Sequence, residues 1–188
     1  GIQSFEDLRR EGYLYVDKTA LIYRLVTTGK PYFLSRPRRF GKSLLLSTLK
    51  AYFEGKKELF EGLAIEKLET KWTVHPVLHL DLNAEKYDSV ERLEMQMNSQ
   101  LLNWESQYGC DAENWSYSIR FMNVIKAAYE QTGQQVVVLI DEYDKPMLES
   151  LHDKELQDQF RSLLVAFYSV LKTADPFLRL VFITGVTK

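Results

Sequence analysis

Only one cysteine, Cys110, occurs in the 188-residue chain. No intrachain disulfide can form, and no cysteine cluster can hold zinc or an iron–sulfur centre. A reducing compartment such as the cytoplasm suits that usage. An excess of one charge is also missing: 24 basic residues stand against 26 acidic ones, a formal net charge of -2. That balance excludes a whole-molecule attraction to nucleic acid or anionic lipid and leaves a local basic patch open. No uninterrupted run of about 18 apolar residues is present, so no membrane span is expected. The start, GIQSFEDLRREGY, carries acidic residues and no apolar h-region, so this stretch is not expected to be a signal peptide. Internal repeats and low-complexity stretches are absent. His75, His79 and His152 lack metal-ligand spacing and read as structural or solvated.

What is there suits one ordinary domain over residues 1–188. At this length folding buries roughly 70% of the surface of the unfolded chain, enough for a core without staples. A content of 45% apolar and 13% aromatic residues argues against disorder. The chain begins with Gly1 and stops at TGVTK just past an apolar run, which points to an N-terminal fragment of a longer protein.

Short apolar runs alternate with longer periodic ones, the pattern of an α/β domain with a mostly parallel sheet. Asp17 is expected to cap a helix with Leu21, Ile22, Leu25 and Val26 on one face, stopped by Gly29 and Pro31. Tyr32 to Ser35 reads as a short strand. A helix follows from near Lys42, with Leu45, Leu49, Tyr52 and Phe53 at helical spacing. Val77 to Leu82 reads as the next strand. Asp88 with Glu91 resembles a capping box opening a helix with Val90, Leu93, Met97, Leu101, Trp104 and Tyr108. Another helix carries Phe121, Met122, Ile125, Ala128 and Tyr129 and ends at Gly133. Val136 to Ile140 is a continuous run typical of a strand covered on both faces. A stripe from Leu156 to Leu171 predicts a further helix, and Leu178 to Thr184 a last strand.

The most specific local pattern is Arg36-Pro37-Arg38-Arg39-Phe40-Gly41-Lys42-Ser43, between an expected strand and an expected helix. A phosphate-binding loop needs that context. Successive backbone N–H groups, running on to Leu44, would curl around phosphates at the positive end of the helix. Lys42 would reach the β- and γ-phosphates, and the Ser43 hydroxyl would ligate Mg2+. The general pattern GxxxxGK[ST] starts with glycine, where this chain has Arg36; glycine allows a positive φ that arginine adopts reluctantly. Either the loop takes another path or Arg36 sits at an allowed angle. A plain strand-to-helix turn with solvated arginines is the alternative reading.

A second pattern bears on that choice. The run VVVLI leads straight into Asp141 and Glu142. An aspartate at the tip of a buried strand is placed to hold Mg2+ beside a phosphate loop. The neighbouring glutamate can orient or deprotonate an attacking water. Paired acids after a strand also serve as helix caps, but hydrolysis of a nucleoside triphosphate needs both patterns in this order. Thr184, ending the last strand before Gly185, could hold the attacking water or sense the γ-phosphate, or merely start a turn. Asp144 could tune the site, pair with an arginine, or cap the next turn.

FLSRPRRFGKSLLLSTLKAYFEG, VVVLIDEYDKP and VFITGVTK together resemble the AAA-ATPase-like family of bacteria and archaea, P-loop proteins related to AAA+ ATPases. Tyr15-Val16-Asp17-Lys18-Thr19 and Leu59-Phe60-Glu61-Gly62-Leu63 resemble its pattern too, and Arg36 in place of glycine matches it. The resemblance implies a P-loop NTPase fold, a three-layer α/β/α sandwich whose mostly parallel sheet has an extra strand between the Walker A and Walker B strands. It implies ATP and Mg2+, with Lys42 and Ser43 as Walker A residues, Asp141 and Glu142 as Walker B residues, and Thr184 at the sensor position. Glu142, Lys42 and Thr184 are then the catalytic candidates, and Ser43 and Asp141 the metal ligands. Family members often continue into a C-terminal nuclease-like domain of the PD-(D/E)XK type, which these residues lack.

The expected function is Mg2+-dependent ATP hydrolysis. Two alternatives stay open: a nucleotide-operated switch with negligible turnover, and a P-loop small-molecule kinase. Arg36, Arg38 and Arg39 could neutralise phosphate charge, bind nucleic acid backbone or pair with nearby acids. AAA-related modules often borrow an arginine from a neighbouring subunit, which leaves a homo-oligomer open. Tyr15 and Tyr23 could stack on adenine, although core packing is the simpler reading.

Overall fold

Strand β3, Val136–Asp141, is buried along its whole length. It is the centre from which the rest of a computed structural model, describing residues 4–28, 32–35, 41–111 and 114–185, is built outward. Its partners are β2 (Val77–Asp81) on one side and β4 (Leu178–Gly185) on the other, and β1 (Tyr32–Ser35) lies beyond β4. All pairings are parallel, in the order β1-β4-β3-β2. The last strand therefore enters between the strand that precedes the Gly41-Lys42-Ser43 segment and the strand that ends in Asp141. Register aligns the C-terminal tips: Ser35 lies opposite Gly185, Leu34 opposite Thr184, and Asp81 opposite Asp141.

Helices cover both faces, which is why β3 can be apolar throughout. On one face Leu78, Leu80, Val136, Val138 and Ile140 pack against α5 (Val90–Tyr108), α6 (Tyr117–Thr132) and α8 (Lys154–Thr173). The stripe read from the sequence supplies Leu156, Phe160, Leu164, Phe167 and Val170 to this core, and the Phe121 and Phe167 rings stack at 4.2 Å. On the other face Val137, Leu139, Leu180 and Phe182 meet α1 (Phe5–Arg10), α2 (Thr19–Thr28) and α3 (Lys42–Phe53). Burial of each such side chain stabilises the fold by about 1.5–3 kcal/mol. No helix of the described residues is long and apolar enough to cross a membrane.

Two motif segments that carry no obvious chemistry are clasped together beside α3. Asp17 accepts from the Thr19 backbone and hydroxyl and, through its other oxygen, from Ala64 N at 2.8 Å. Buried Thr19 accepts from Ile65 N at 3.1 Å, and Arg9 Nε donates to Leu59 O at 2.8 Å. This clasp joins the start of α2 to the short helix α4 (Ile65–Leu68).

Several boundaries differ from the sequence reading. Helix α1, capped by Ser4, was not expected; six residues are too few for a periodic pattern. Leu21 is 60% exposed, while Ile22 and Val26 carry the buried face of α2. Helix α5 is capped by Ser89, which accepts from Arg92 N, so the cap lies one residue beyond Asp88. Both residue types make good caps, and Ser89, in extended geometry, takes the role.

Strand β4 also carries an irregularity that its composition hides. Leu178 pairs with Val136, but Leu180 pairs with Val137, so Arg179 is an extra residue in the ladder. Leu178 and Leu180 consequently point to opposite faces although two apart. Arg179 is turned onto the α2–α3 side, donating to Val26 O at 2.6 Å and lying 5.5 Å from the centre of the Phe53 ring.

Candidate functional site

Gly41 ends the loop with φ 74° and stands as the N-cap of α3. A side chain there would be strained, so glycine at this position has a backbone reason. Helix α3 then points its first residues, Lys42 and Ser43, at the C-terminal tips of β3 and β4. Lys42 is 5% exposed, unusual for a lysine, and two acceptors compensate it. Its Nζ lies 3.0 Å from Glu142 Oε1 and 3.5 Å from Gly185 O. Ser43 Oγ donates to Asp141 Oδ2 at 3.2 Å.

Thr184 completes the centre. Fully buried at the end of β4, it donates its hydroxyl to Asp141 Oδ1 at 2.5 Å and accepts from Glu142 N at 3.2 Å. Each oxygen of Asp141 thus has a hydroxyl partner, one from α3 and one from β4. Asp141 and Glu142 are 5% and 8% exposed. Buried acids in such a place need partners, and here every one has them.

The structure therefore brings together Lys42, Ser43, Asp141, Glu142 and Thr184, five of the residues singled out in the sequence. Leu44, next on α3, is half-buried, and its carbonyl accepts from Ser47 and Thr48 hydroxyls inside the helix. Arg36, Pro37, Arg38, Arg39 and Phe40 lie outside the described residues. Asp144 occupies the N-cap position of α7 (Lys145–Glu149), but its side chain makes no capping bond. Lys145 opens that helix and donates to Asn83 O and Glu85 O at 2.9 and 2.6 Å.

Three features escaped the sequence reading. Glu142 adopts φ 55°, a left-handed backbone rare outside glycine. Gly185 contributes a carbonyl to Lys42, which no side-chain pattern announces. Tyr143 N donates to Thr184 O at 3.0 Å, so the turn after β3 is stitched to the end of β4. A signal for the last pair did exist, in a glycine directly following the threonine.

Tyr15 and Tyr23 pack against the core on the α3 side: Tyr15 meets Phe5 edge-on at 5.3 Å, and burial pushes its hydroxyl pKa up. His75 holds Gln135 O through Nδ1 at 2.8 Å. Burial likewise raises the Cys110 thiol pKa, so it is no ready nucleophile. Among the described residues no three His, Cys, Asp or Glu side chains gather as a metal site. The donor set at Ser43 and Asp141 nevertheless fits Mg2+, which takes one or two protein oxygens and fills its shell with phosphate and water.

A family model described as "Predicted AAA-ATPase" matches residues 1–188. The chain belongs to the AAA-ATPase-like family. A relative from Azotobacter chroococcum mcd 1, described as an uncharacterized protein in the vnfD 5′ region, is 39% identical over 189 residues. The match covers 100% of this chain and 37% of that relative, so the chain spans well under half of its length. No solved structure matches the chain.

Proposed function

We propose that this family member binds ATP with Mg2+ and hydrolyses it, through a P-loop NTPase sandwich of the α/β/α kind. One observation carries the reading most. The first two residues of α3 meet the acidic tip of β3 side chain to side chain, Lys42 with Glu142 and Ser43 with Asp141. Family membership points the same way.

In this reading Gly41 lets the loop turn into α3, whose N-terminal N–H groups favour phosphate. Lys42 exchanges its carboxylate and carbonyl partners for β- and γ-phosphate oxygens. Ser43 and Asp141 hold Mg2+, which when bound neutralises phosphate charge. Glu142, released by Lys42, accepts a proton from the attacking water. Thr184 keeps Asp141 and the Glu142 backbone in place through its single hydroxyl. The balance of basic loop and acidic strand tip suits a tetra-anion with its metal. Residence in the cytoplasm, on the single cysteine, and a nuclease-like continuation, on the family resemblance, belong to the same proposal.

A second reading, a nucleotide-operated switch with negligible turnover, draws support from the same pair. Glu142 is occupied by Lys42, so a resting site is not poised for hydrolysis. Thermal melting with and without Mg2+–ATP tests nucleotide binding, and phosphate release separates the two readings. At a hundredfold excess over Kd, binding adds about 2.7 kcal/mol, a rise in Tm of roughly 5–10 °C. An unchanged Tm with ATP and with GTP would sink both.

A further inference from the structure

The general base of the proposed site sits on an unfavourable backbone. Glu142 has φ 55°, and such a conformation costs a non-glycine residue on the order of 1–2 kcal/mol unless its surroundings over-determine it. What over-determines it is the end of β4. Glu142 N donates to Thr184 Oγ1 at 3.2 Å, and the next amide, Tyr143 N, donates to Thr184 O at 3.0 Å. The turn closes with Lys145 N donating to Glu142 O at 3.1 Å.

The Tyr143 ring then lies directly over Gly185. A Cβ on Gly185 would stand 2.3 and 2.4 Å from ring atoms Cε1 and Cδ1, and 2.9 Å from Asp144 Oδ1. Gly185 has no left-handed backbone to explain it, so its requirement is space. The ring is backed by Tyr168 at 6.2 Å, centre to centre. One face of Gly185 thus seats Tyr143 while its carbonyl faces Lys42.

We propose that Tyr143 and Gly185 are positioning residues for Glu142: the close seating of the ring on the glycine holds the left-handed turn that aims the Glu142 carboxylate into the site. The claim rests on the reading of Glu142 as the base for ATP hydrolysis. Neither residue touches substrate. A misplacement of about 1 Å at a reacting group can cost on the order of a hundredfold in rate. Of α3, Lys42 meets this turn, through Glu142 Oε1 and the Gly185 carbonyl, and in the proposed reading it exchanges both for phosphate oxygens when nucleotide binds.

The test is steady-state kinetics with Mg2+–ATP on the whole protein, with ADP affinity measured by calorimetry. Tyr143→Ala and Gly185→Ala should each lower kcat by roughly 10- to 100-fold. KM for ATP and Kd for ADP should hold within about twofold, since α3 is untouched. Tyr143→Phe keeps the ring and should keep the wild-type kcat. If Gly185→Ala does not fold, the Tyr143→Ala and Tyr143→Phe pair decides alone. An unchanged kcat in Tyr143→Ala overturns the proposal, as does a loss of ADP affinity in step with kcat. Wild-type protein that binds ADP yet never turns over overturns it while leaving the switch reading standing. Wild-type protein that binds no nucleotide removes the nucleotide reading itself.

Discussion

Lys42 Nζ and Glu142 Oε1 are joined at 3.0 Å in an ion pair with side chains only 4% and 11% exposed. Breaking such a pair from one side leaves a buried charge without its partner, which costs about 3–5 kcal/mol. Lys42→Ala should therefore lower stability in urea by an amount in that range, and abolish the Tm rise with Mg2+–ATP. Adding Glu142→Gln to Lys42→Ala should restore part of the stability and none of the binding. A double variant no more stable than Lys42→Ala would refute the coupling.

Glu142→Gln alone separates binding from turnover. The amide can still accept from Lys42 but cannot take a proton from water. Phosphate release should fall by roughly 100- to 10,000-fold, the range for losing a general base, with the ATP-induced Tm shift retained.

Thr184→Val removes one hydroxyl that serves two groups. Asp141 Oδ1 loses its donor and Glu142 N its acceptor, both inside the protein. Each buried group left unsatisfied costs about 1–3 kcal/mol, so the urea midpoint should drop clearly. The Mg2+ concentration for half-maximal turnover should rise, since Asp141 is then held through Oδ2 alone, by Ser43. Equal Mg2+ dependence in the two proteins would argue that Ser43 alone fixes Asp141.

Asp17 offers a control remote from the chemistry. It accepts from Thr19 N and Oγ1 and from Ala64 N. Asp17→Ala should destabilise by about 1–3 kcal/mol while the Kd for ADP stays unchanged. Loss of ADP affinity in a folded Asp17→Ala protein would mean that the clasp reaches the site.

His75 supplies a pH dependence. Burial lowers its pKa below the ordinary 6.5; the Gln135 carbonyl opposes that shift and the Arg179 charge adds to it. In the unfolded chain the imidazole takes its proton first as pH falls. The stability present above about pH 6.5 is therefore lost as pH drops from there through the folded pKa. His75→Gln should flatten this slope of Tm between about pH 7 and pH 5. An identical slope in wild type and variant would clear His75 of the effect.

The strands and the site pairings were unequally legible in the sequence. Val136 to Ile140, the α8 stripe and the Gly133 stop follow from periodicity and turn chemistry, which act locally. Asp141, Glu142, Lys42 and Ser43 could be singled out because their residue types are rare in those contexts. Their partners could not, because the contacts join residues about a hundred positions apart along the chain, as between Ser43 and Asp141. The left-handed turn at Glu142 was hidden for another reason: glutamate carries no signal for it, and the cause lies in Thr184 and Gly185 across the sheet. The cap at Ser89 rather than Asp88 was not legible, because both residue types suit the position.

The extra residue at Arg179 makes β4 a counting device. From Leu180 onward each side chain faces the layer opposite to the one that strict alternation from Leu178 would assign. Thr184 reaches Asp141 on the α3 side only because of that shift of phase. Length changes between the bulge and Thr184 are thus not judged by size. Two residues added there preserve which layer Thr184 faces, whereas a single one turns its hydroxyl to the wrong side of the sheet. Parity, rather than composition, is what this stretch of β4 has to conserve.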